Sequence, residues 1–395
     1  MTGSTDVVVI GGGYAGVMAA NHLRVRDDVR VTLINPRPSF VERIRLHQLV
    51  TGSDDAVVEY ASLLGAGVRL LVDEATAIDP ARRRVALASG DTVGYDYLVY
   101  AVGSRGAAPV VPGVAEFAHS VTEFEDAERL RAVVDAAPRT APLTVVGGGP
   151  TGIETAAELA EVGRQVTLVC GEVLGPYLSP AGRRSVAGRL ARLGVTVLDG
   201  PGTRATAVRR DAIVLAEGRE LPSAVTVWTA GFGVPDLAAR SGLSTDATGR
   251  LLTDETLTSV DDARIVAAGD AAAPSGVPPR MSCQAAIPLG AQAANTVLSR
   301  IAGTEPREIS LGFAGQCVSL GRRAATIQLA RTDDSARPMF IGGRAAAAIK
   351  EAVCRSTVWG LAREARKPGS YVWLKGAGRR RVLAKAGARA GAGVQ

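Results

Sequence analysis

The chain has 395 residues, which is longer than one hydrophobic core usually supports, so two or three domains are expected. Apolar residues make up 47% of the chain and aromatic residues only 4%, a composition typical of parallel sheets covered by helices on both faces. The four cysteines are far apart in the sequence, and no stretch of 18 residues is both apolar and uncharged. These features argue against a disulfide framework, a metal site and a membrane-spanning helix, and they favour a cytoplasmic α/β protein.

The net charge of +6 is unevenly distributed along the chain. Residues 321–395 contain 16 Lys and Arg against 4 Asp and Glu, a net of +12, so the preceding residues carry 29 minus 35, or −6. The basic character therefore belongs to the C-terminus. Because these residues are confined to one region without a recognisable binding module, no nucleic-acid partner is expected.

The N-terminus predicts a strand, a glycine turn, a helix and a second strand. An apolar strand at 7–10 leads into GGGYAG, and a helix at 19–24 is followed by a strand at 29–34. In such a unit Gly11 permits a tight turn, Gly13 lets the backbone approach a pyrophosphate, and Gly16 lets the helix and strand pack closely. Amides at the helix start then face the phosphates. The pattern predicts a dinucleotide site.

The same pattern occurs again in the middle of the chain. A strand at 143–146, the turn GGGPTG, a helix at 153–161 and a strand at 165–169 place Gly147, Gly149 and Gly152 at the three fingerprint positions. Since both copies have the required strand and helix context, two dinucleotides are predicted to meet across a domain crevice.

The remaining elements suggest how the domains connect. Apolar strands at 97–103 and 225–231 each end in glycine, Pro112 and Gly113 mark a crossing between domains, and the strand at 263–273 returns to the first domain. We therefore predict an α/β fold with two Rossmann-like domains, the first interrupted by the second, and a small C-terminal α+β domain. The predicted boundaries are 1–111 and 241–304 for the first domain, 112–240 for the second, 305–376 for the C-terminal domain and 377–395 for a flexible tail.

Two such loops followed by the late segment AAGD, which ends at Asp270, resemble the two-dinucleotide-binding flavoprotein reductases. Within that superfamily the chain is most similar to the type II NADH dehydrogenases and to proteins like apoptosis-inducing factor. The resemblance implies FAD at the first loop and NADH or NADPH at the second. It also implies that hydride passes from the nicotinamide to the flavin and that the electrons then pass to a second substrate.

The loop positions and the resemblance together predict the cofactor contacts. Asp270 is implied to hydrogen-bond the ribityl chain of FAD, and Asn35 and Cys170 stand where the ribose hydroxyls are usually bound. Since no basic residue follows Cys170 closely enough to bind a 2′-phosphate, NADH is favoured over NADPH. The predicted FAD-binding residues are Gly11, Gly13, Tyr14, Ala15, Gly16, Asn35, Arg43, Val102, Gly103, Gly269 and Asp270. The predicted nicotinamide-dinucleotide residues are Gly147, Gly149, Pro150, Thr151, Gly152, Cys170 and Gly231.

Three residues are candidates for a catalytic role. The resemblance implies that Glu154 lies beside the nicotinamide, although an acid at a helix start is also favoured by the helix dipole. Gln284 matches a position beside the quinone in type II dehydrogenases, although it could simply be a polar residue at a helix N-terminus. His47 lies on the segment expected to cover the flavin, where it serves either as an acid or in ordinary packing. Cys283 is expected to be a core thiol.

The segment at 38–52, where disulfide reductases of this superfamily carry a redox cysteine pair, contains no cysteine. Electrons must therefore leave the flavin directly for a small acceptor, and a quinone is the leading hypothesis. The alternatives are a soluble biosynthetic flavoenzyme acting on an aromatic or polyketide-like molecule, and a redox-sensing protein similar to apoptosis-inducing factor.

The segment Ile349 to Gly376 combines basic residues with Trp359, Tyr371 and Trp373. Aromatic and basic groups together are typical of segments that lie at a lipid surface. We therefore predict either peripheral binding to the inner face of the cell membrane or a packed basic face, which includes a homodimer contact.

Overall fold

The computed structural model describes residues 4–107, 110–376 and 378–384. Up to Gly106 it contains two helices and ten strands. The helices are α1 (Tyr14–Leu23) and α2 (Leu46–Thr51). The strands are β1 (Thr5–Ile10), β2 (Val29–Asn35), β3 (Ser39–Val41), β4 (Val57–Glu59), β5 (Val68–Val72), β6 (Ala75–Asp79), β7 (Arg84–Leu87), β8 (Thr92–Gly94), β9 (Tyr97–Tyr100) and β10 (Arg105–Gly106).

The middle of the chain repeats this organisation. Its helices are α3 (Val114–Phe117), α4 (Phe124–Ala136), α5 (Pro150–Glu161) and α6 (Pro180–Arg192). Its strands are β11 (Ala118–Ser120), β12 (Pro142–Val146), β13 (Gln165–Gly171), β14 (Thr196–Asp199), β15 (Ala205–Val208), β16 (Ala212–Leu215), β17 (Glu220–Pro222), β18 (Val225–Trp228) and β19 (Phe232–Gly233).

The last third returns to the first domain and then forms the C-terminal domain. The returning elements are α7 (Leu237–Arg240), β20 (Leu251–Thr253), β21 (Ile265–Ala267), β22 (Ala272–Pro274) and α8 (Cys283–Ile301). The C-terminal elements are β23 (Gly315–Ser319), β24 (Ala325–Ala330), β25 (Ala336–Gly342) and α9 (Gly343–Arg366).

Two parallel five-stranded sheets form the framework. Their strand orders are β21-β9-β1-β2-β5 and β11-β18-β12-β13-β14, so β1 and β12 occupy equivalent central positions. Both central strands are covered on both faces: Val7 to Ile10 of β1 are all buried, and so are Leu143 to Val146 of β12, including the hydroxyl residue Thr144. After the central strand, the chain of each sheet adds strands first on one side and later on the other, and such a switch point opens a crevice at the carboxyl ends of the parallel strands. The predicted fold class is confirmed.

The two domain crossings lie side by side. Strands β10 and β19 pair antiparallel, with Arg105 opposite Gly233 and Gly106 opposite Phe232. After the second crossing Val234 and Leu237 already pack in the core of the first domain. The chain therefore packs in the first domain from near residue 234, ahead of the predicted boundary at 240, because the apolar side of α7 is buried against β6 of that domain.

The C-terminal domain is an antiparallel sheet of β23, β24 and β25 with α9 beside it. Helix α9 contacts both nucleotide domains. Near its end Glu364 accepts a hydrogen bond from His22 of α1 at 2.7 Å, and near its start Lys350 pairs with Glu154 of α5. The C-terminal domain therefore lies over the crevice between the two sheets.

The predicted flexible tail is only partly covered by the described residues. Residues 378–384 are helical, and Arg379 pairs with Glu255 at 2.7 Å and donates to the carbonyl oxygen of Pro274. Residues 378–384 therefore pack against the first domain, because Arg379 pairs there with the half-buried carboxylate of Glu255. The rest of the tail lies outside the described residues.

Candidate functional site

The first glycine loop connects β1 to α1 and has the geometry that a phosphate site requires. Gly11 has φ of +103°, a conformation that L side chains rarely adopt. A Cβ at Gly16 would overlap the carbonyl oxygen of Gly11, so only glycine allows α1 to start this close to β1. A Cβ at Gly13 would meet no protein atom within 4 Å. The loop is therefore closely packed where Gly16 meets Gly11 and open beside Gly13, where a pyrophosphate could bind.

The second loop, between β12 and α5, repeats each of these features. Gly147 has φ of +132°, a Cβ at Gly152 would overlap the carbonyl oxygen of Gly147, and a Cβ at Gly149 would again meet no protein atom within 4 Å. Two loops of the same shape thus open towards the same crevice.

The two residues predicted to bind ribose differ in position. Asn35 lies behind the first loop, where its side-chain oxygen accepts a hydrogen bond from Gly12 N at 2.9 Å and its amide nitrogen donates to the carbonyl oxygen of Arg37 at 2.8 Å. The Tyr60 hydroxyl donates to the carbonyl oxygen of Gly12 at 2.7 Å. Asn35 therefore orients the loop backbone. One N–H and one oxygen lone pair of its side chain are not used in these two hydrogen bonds, and its binding of ribose stays a prediction.

Cys170, at the equivalent place after β13, does face the crevice. Burial raises the pKa of its thiol to about 12, so the group is neutral at physiological pH. It is a weak hydrogen-bonding group beside the second loop, and it brings no charge to that loop.

One cleft of about 1350 Å³ joins the two loops, which is larger than the usual pocket for a drug-sized ligand. Its walls come from both nucleotide domains and from the C-terminal domain. The predicted residues that line the cleft are Gly13, Tyr14, Ala15, Arg43, His47, Gly103, Gly147, Gly149, Pro150, Thr151, Glu154, Cys170, Gly231, Asp270 and Gln284. The predicted residues that lie behind the lining are Gly11, Gly16, Asn35, Val102, Gly152 and Gly269.

At the centre of the cleft Glu154 is buried in an ion pair. Its Oε1 accepts hydrogen bonds from Lys350 Nζ and from Ser319 N, the latter at 2.8 Å. Burial by itself would raise the pKa of Glu154, but the charge of Lys350, the nearby His47 and the hydrogen bonds outweigh burial and lower it. The pKa of Lys350 is raised, because the attraction of Glu154 outweighs the effect of burial. Both groups are therefore charged at neutral pH.

His47 completes this polar cluster from the first domain. Its Nδ1 lies 3.8 Å from Glu154 Oε2, and its Nε2 lies 3.2 Å from the hydroxyl of Ser319. Burial lowers the pKa of His47 to about 3, an effect that the carboxylate of Glu154 only partly opposes. The imidazole is therefore neutral at physiological pH, and a role as an acid, the alternative to ordinary packing, stays a prediction.

Asp270 faces the cleft near the end of the first sheet. It accepts hydrogen bonds from the Ser104 hydroxyl at 2.7 Å and from Ser282 N at 3.2 Å. Arg43, predicted to contact FAD, donates instead to the carbonyl oxygens of Thr122, at 2.8 Å, and of Ser104. Although Arg43 lines the cleft, most of its donors are used to connect the covering segment to the domain crossing.

Gln284 is near the start of α8 and lines the cleft. The side-chain amide of Gln284 has one orientation that forms two hydrogen bonds. In it the nitrogen donates to Gly315 O at 3.0 Å and the oxygen accepts from Ala314 N at 3.2 Å. Gln284 therefore connects the first domain to the strand β23. Cys283 also lines the cleft and is not purely a core residue, and burial raises the pKa of its thiol to about 11.

The aromatic residues of the C-terminal segment divide into two groups. Tyr371 and Trp373 stack at 6.0 Å and pack against the first domain, where the Trp373 indole donates to Ser310 O at 2.9 Å. Of the three aromatic residues predicted in this segment, Trp359 alone is exposed, with 56% of its surface accessible. The stacked pair forms part of the cleft wall, which agrees with the packed alternative for these two residues, and membrane binding by the segment stays a prediction.

Exposed apolar side chains border the cleft, and we call them the apolar rim. They come from the edge strand β25, from α9 and from the segment after it. They are Met339, Phe340, Ile341, Ile349, Val353, Val372 and Leu374, and all except Met339 and Phe340 line the cleft. Among the described residues no helix is both long and apolar enough to cross a membrane.

Lys350 and Ser319 were not predicted as site residues. The buried face of α9 carries Lys350, Cys354, Thr357 and Glu364 beside Ala346, so its apolar periodicity is weak in the sequence. A charged residue at a buried helical position would have been the available signal, because such positions are normally apolar unless the charge is paired.

The comparisons with known proteins agree with this geometry. Residues 5–294 match the family described as pyridine nucleotide-disulphide oxidoreductase. An NADH dehydrogenase-like protein of Mycobacterium tuberculosis is 32% identical over 325 residues, which cover 75% of this chain and 80% of that protein. A type II NADH:quinone oxidoreductase of the same organism is 30% identical over 348 residues, covering 76% and 74% of the two chains.

Among solved structures, the sulfide:quinone oxidoreductase of Aquifex aeolicus superposes with a TM-score of 0.78 at 22% identity, covering 92% of this chain and 93% of that one. At this identity the likeness concerns the fold alone. The sequence matches go further, since they include both glycine loops and the segment that ends at Asp270. The chain therefore belongs to the pyridine nucleotide-disulphide oxidoreductase family and is an oxidoreductase.

Proposed function

We propose that the chain is an FAD-dependent NADH:quinone oxidoreductase. The observation that carries the proposal is the single cleft onto which both dinucleotide loops open and whose remaining wall is the C-terminal domain. Two nucleotides bound at these loops would meet inside one protein-lined space, and a third molecule could reach it through the apolar rim. The relative named a type II NADH:quinone oxidoreductase supports the choice of acceptor.

The residues of both loops suit the two cofactors. The open space before Gly13 and Gly149 leaves backbone amides available to pyrophosphate oxygens. Asp270, whose carboxylate faces the cleft, would accept hydrogen bonds from hydroxyl groups of the FAD chain. When bound, the flavin and the nicotinamide supply the hydride chemistry, and the protein supplies orientation and electrostatics.

The overall reaction would be NADH plus quinone plus one proton giving NAD⁺ and quinol. The hydride provides two electrons and one proton, so a further proton must reach the acceptor. Lys350 holds a proton on Nζ inside the cleft, and Glu154 keeps that nitrogen positively charged. We propose that the Lys350 ammonium orients the acceptor and supplies this proton, which solvent at the rim then replaces.

The apolar rim supports a peripheral membrane location. A lipid-soluble quinone would enter the cleft directly from a bilayer if the rim lay against it, and exposed basic residues nearby, such as Arg344 and Lys375, would approach anionic headgroups. Partial insertion of seven apolar side chains would stabilise such contact by about 25 cal/mol per Å² of apolar surface removed from water.

Stopped-flow reduction followed by acceptor turnover tests the function. The purified protein should be yellow, NADH should bleach the flavin faster than NADPH does, and menadione should restore the colour rapidly. It should also sediment with vesicles that contain anionic lipid. If neither nicotinamide reduces the flavin, the proposal is wrong. Reduction by NADH with slow quinone turnover and no vesicle binding would instead favour a soluble biosynthetic flavoenzyme.

A further inference from the structure

Glu364 of α9 is a buried carboxylate that lies outside the cleft. Its side chain is 0% exposed, and it is not one of the residues that line the cleft. Burying a charge is costly unless several hydrogen-bond donors replace the water that it loses. The donors that surround Glu364 therefore indicate what its charge holds in place.

Three of its four donors come from one turn, at residues 369–371, directly after α9. Gly369 N donates to Oε1 at 2.5 Å, whereas Tyr371 N and the Ser370 hydroxyl donate to Oε2 at 2.8 Å and 3.3 Å. Burial alone would raise the pKa of Glu364, but the hydrogen bonds from His22 and from the backbone of the turn outweigh burial and lower it. The carboxylate is therefore charged at neutral pH, and hydrogen bonds to a charged group are stronger than those between neutral groups.

The fourth donor fixes the carboxylate to the first domain. His22 of α1 donates from Nδ1 to Oε1 at 2.7 Å, and its Nε2 lies 3.1 Å from Asn295 Oδ1 of α8. Arg24, just after α1, donates to the carbonyl oxygen of Ala365 at 2.7 Å. The end of α9 and the turn that follows it are thus tied to α1 and α8.

The turn directs the chain back along the cleft. The four residues from Tyr371 to Leu374 all line it. Residues 371–376 form neither a helix nor a strand, so no regular ladder of hydrogen bonds fixes them. Their position depends on single contacts, with Glu364 at the start and, at the far end, a hydrogen bond from Gly312 N to Leu374 O at 2.8 Å.

The ring of Tyr371 lies against α9. A Cβ at Gly360 of that helix would be 3.9 Å from Tyr371 Cε2, so the ring packs beside a residue that has no side chain. The ring of Trp373 stacks on it at 6.0 Å. If the turn opened, this pair of rings would move away from α9, and the cleft would lose its wall beside the apolar rim.

We propose that Glu364 is a positioning residue of the acceptor site: its carboxylate holds the turn at 369–371 and so keeps residues 371–374 in place as the wall that the electron acceptor contacts. This inference rests on the proposed function, because it takes the acceptor to enter beside the apolar rim, to which Val372 and Leu374 belong. The glycine loops lie in the two nucleotide domains, so Glu364 serves the acceptor and not the two dinucleotides.

The test is Glu364→Gln, which keeps the shape of the side chain and replaces one of its oxygens by an NH2 group. Whichever way the new amide is oriented, its NH2 group faces a backbone N–H, either that of Gly369 or that of Tyr371. One side of the turn therefore loses its acceptor.

The KM of this variant for menadione should rise about threefold or more, because a site that is formed for only part of the time binds more weakly by that fraction. The maximal rate of flavin reduction by NADH and the amount of bound flavin should not change. Turnover with ferricyanide, a hydrophilic anion that does not need an apolar site, should also stay the same.

Glu255→Gln is the matched control. Glu255 is also a half-buried carboxylate that ties C-terminal residues to the first domain, through Arg379 at 2.7 Å. Neither of these two residues lines the cleft. The substitution should leave the KM for menadione unchanged.

Gly369→Ala perturbs the same turn without altering the carboxylate. Gly369 has φ of +78° and is exposed, so alanine strains the turn at a position outside the core. Its KM for menadione should also rise, with flavin reduction as in the wild-type protein. This variant decides the question if Glu364→Gln does not fold.

An unchanged KM for menadione in Glu364→Gln that binds flavin normally would overturn the inference. So would an unchanged KM in Gly369→Ala, or an equal loss with ferricyanide, or slower flavin reduction, since the last two would assign Glu364 to the flavin. Absence of quinone turnover in the wild-type enzyme would instead contradict the proposed function.

Discussion

In the loop Gly11–Gly16 the residue that follows the third glycine is Tyr14, and four residues later α1 carries Met18. In the loop Gly147–Gly152 the same places hold Pro150 and Glu154. The glycine positions agree in backbone conformation and in the space around them. The two regions therefore share a phosphate cradle and differ in the side chains beside it.

This difference separates binding from chemistry. Met18 is fully buried in the core of the first domain, whereas Glu154 faces the cleft and pairs with Lys350. One copy of the motif thus provides an apolar helix start that packs in the core, and the other brings a charge to the reaction space. A duplicated binding unit has acquired distinct roles through residues that the fingerprint does not specify.

The largest expected effect comes from substituting the last fingerprint glycine of each loop, one loop at a time. The Cβ of Gly16→Ala would overlap the carbonyl oxygen of Gly11, and the Cβ of Gly152→Ala would overlap the carbonyl oxygen of Gly147. We expect the first variant to be colourless, and the second to be yellow but not reduced by NADH. Flavin absorbance and stopped-flow reduction provide the measurements.

Gly13→Ala and Gly149→Ala are the controls for those two variants, because their Cβ atoms meet no protein atom within 4 Å. They should keep the wild-type melting temperature and lose only nucleotide affinity. Full flavin content in Gly16→Ala together with normal reduction of Gly152→Ala would show that the loops do not bind these cofactors.

A second prediction makes the second loop more like the first. Glu154→Met gives α5 the residue that α1 has and leaves the ammonium of Lys350 buried without its carboxylate. Breaking such a pair costs about 3–5 kcal/mol of unfolding free energy. The double variant Glu154→Met with Lys350→Met should recover most of that loss, as measured by urea unfolding.

Glu158→Gln, one turn further along α5, is the control for this experiment, since Glu158 pairs with Arg322 away from the cleft. It should lower stability without changing quinone turnover, whereas both Glu154 variants should lower turnover. Equal stability of the single and double Glu154 variants would contradict the view that the pair is charged.

The smallest effect concerns His47, which lies between the two loops. Its folded-state pKa of about 3 is below the ordinary value of 6.5, so between these values the unfolded chain binds more protons. Stability therefore rises with pH through this window and falls on acidification, by about 2 kcal/mol between pH 6.5 and 5. Urea unfolding at pH 7.5 and 5.0 should show this loss.

In His47→Gln the loss on acidification should be smaller by that amount, while His119→Gln should retain the His47 share of it. Glu154 does not contribute in this range. Its pKa is lowered from 4.5, so its stabilisation is lost only at more acidic pH. Identical pH profiles for His47→Gln and the wild-type protein would mean that the histidine is not buried as described.

The sequence by itself determined the two βαβ units, the glycine fingerprints and the family. These features are local, because the turn at Gly11 and the close approach of α1 at Gly16 both require glycine, at positions within six residues of each other. The sequence also showed that residues 38–52 contain no cysteine pair, which predicts that no redox disulfide lies in that segment.

Only the tertiary structure decided what surrounds the reaction space. Lys350 is 196 residues away from Glu154 in the chain, so no spacing rule could join them. The same holds for the hydrogen bonds of Asn35 and the burial of His47. Burial, hydrogen bonds and pKa values depend on which surfaces meet, and that is a property of the packed chain and not of any segment within it.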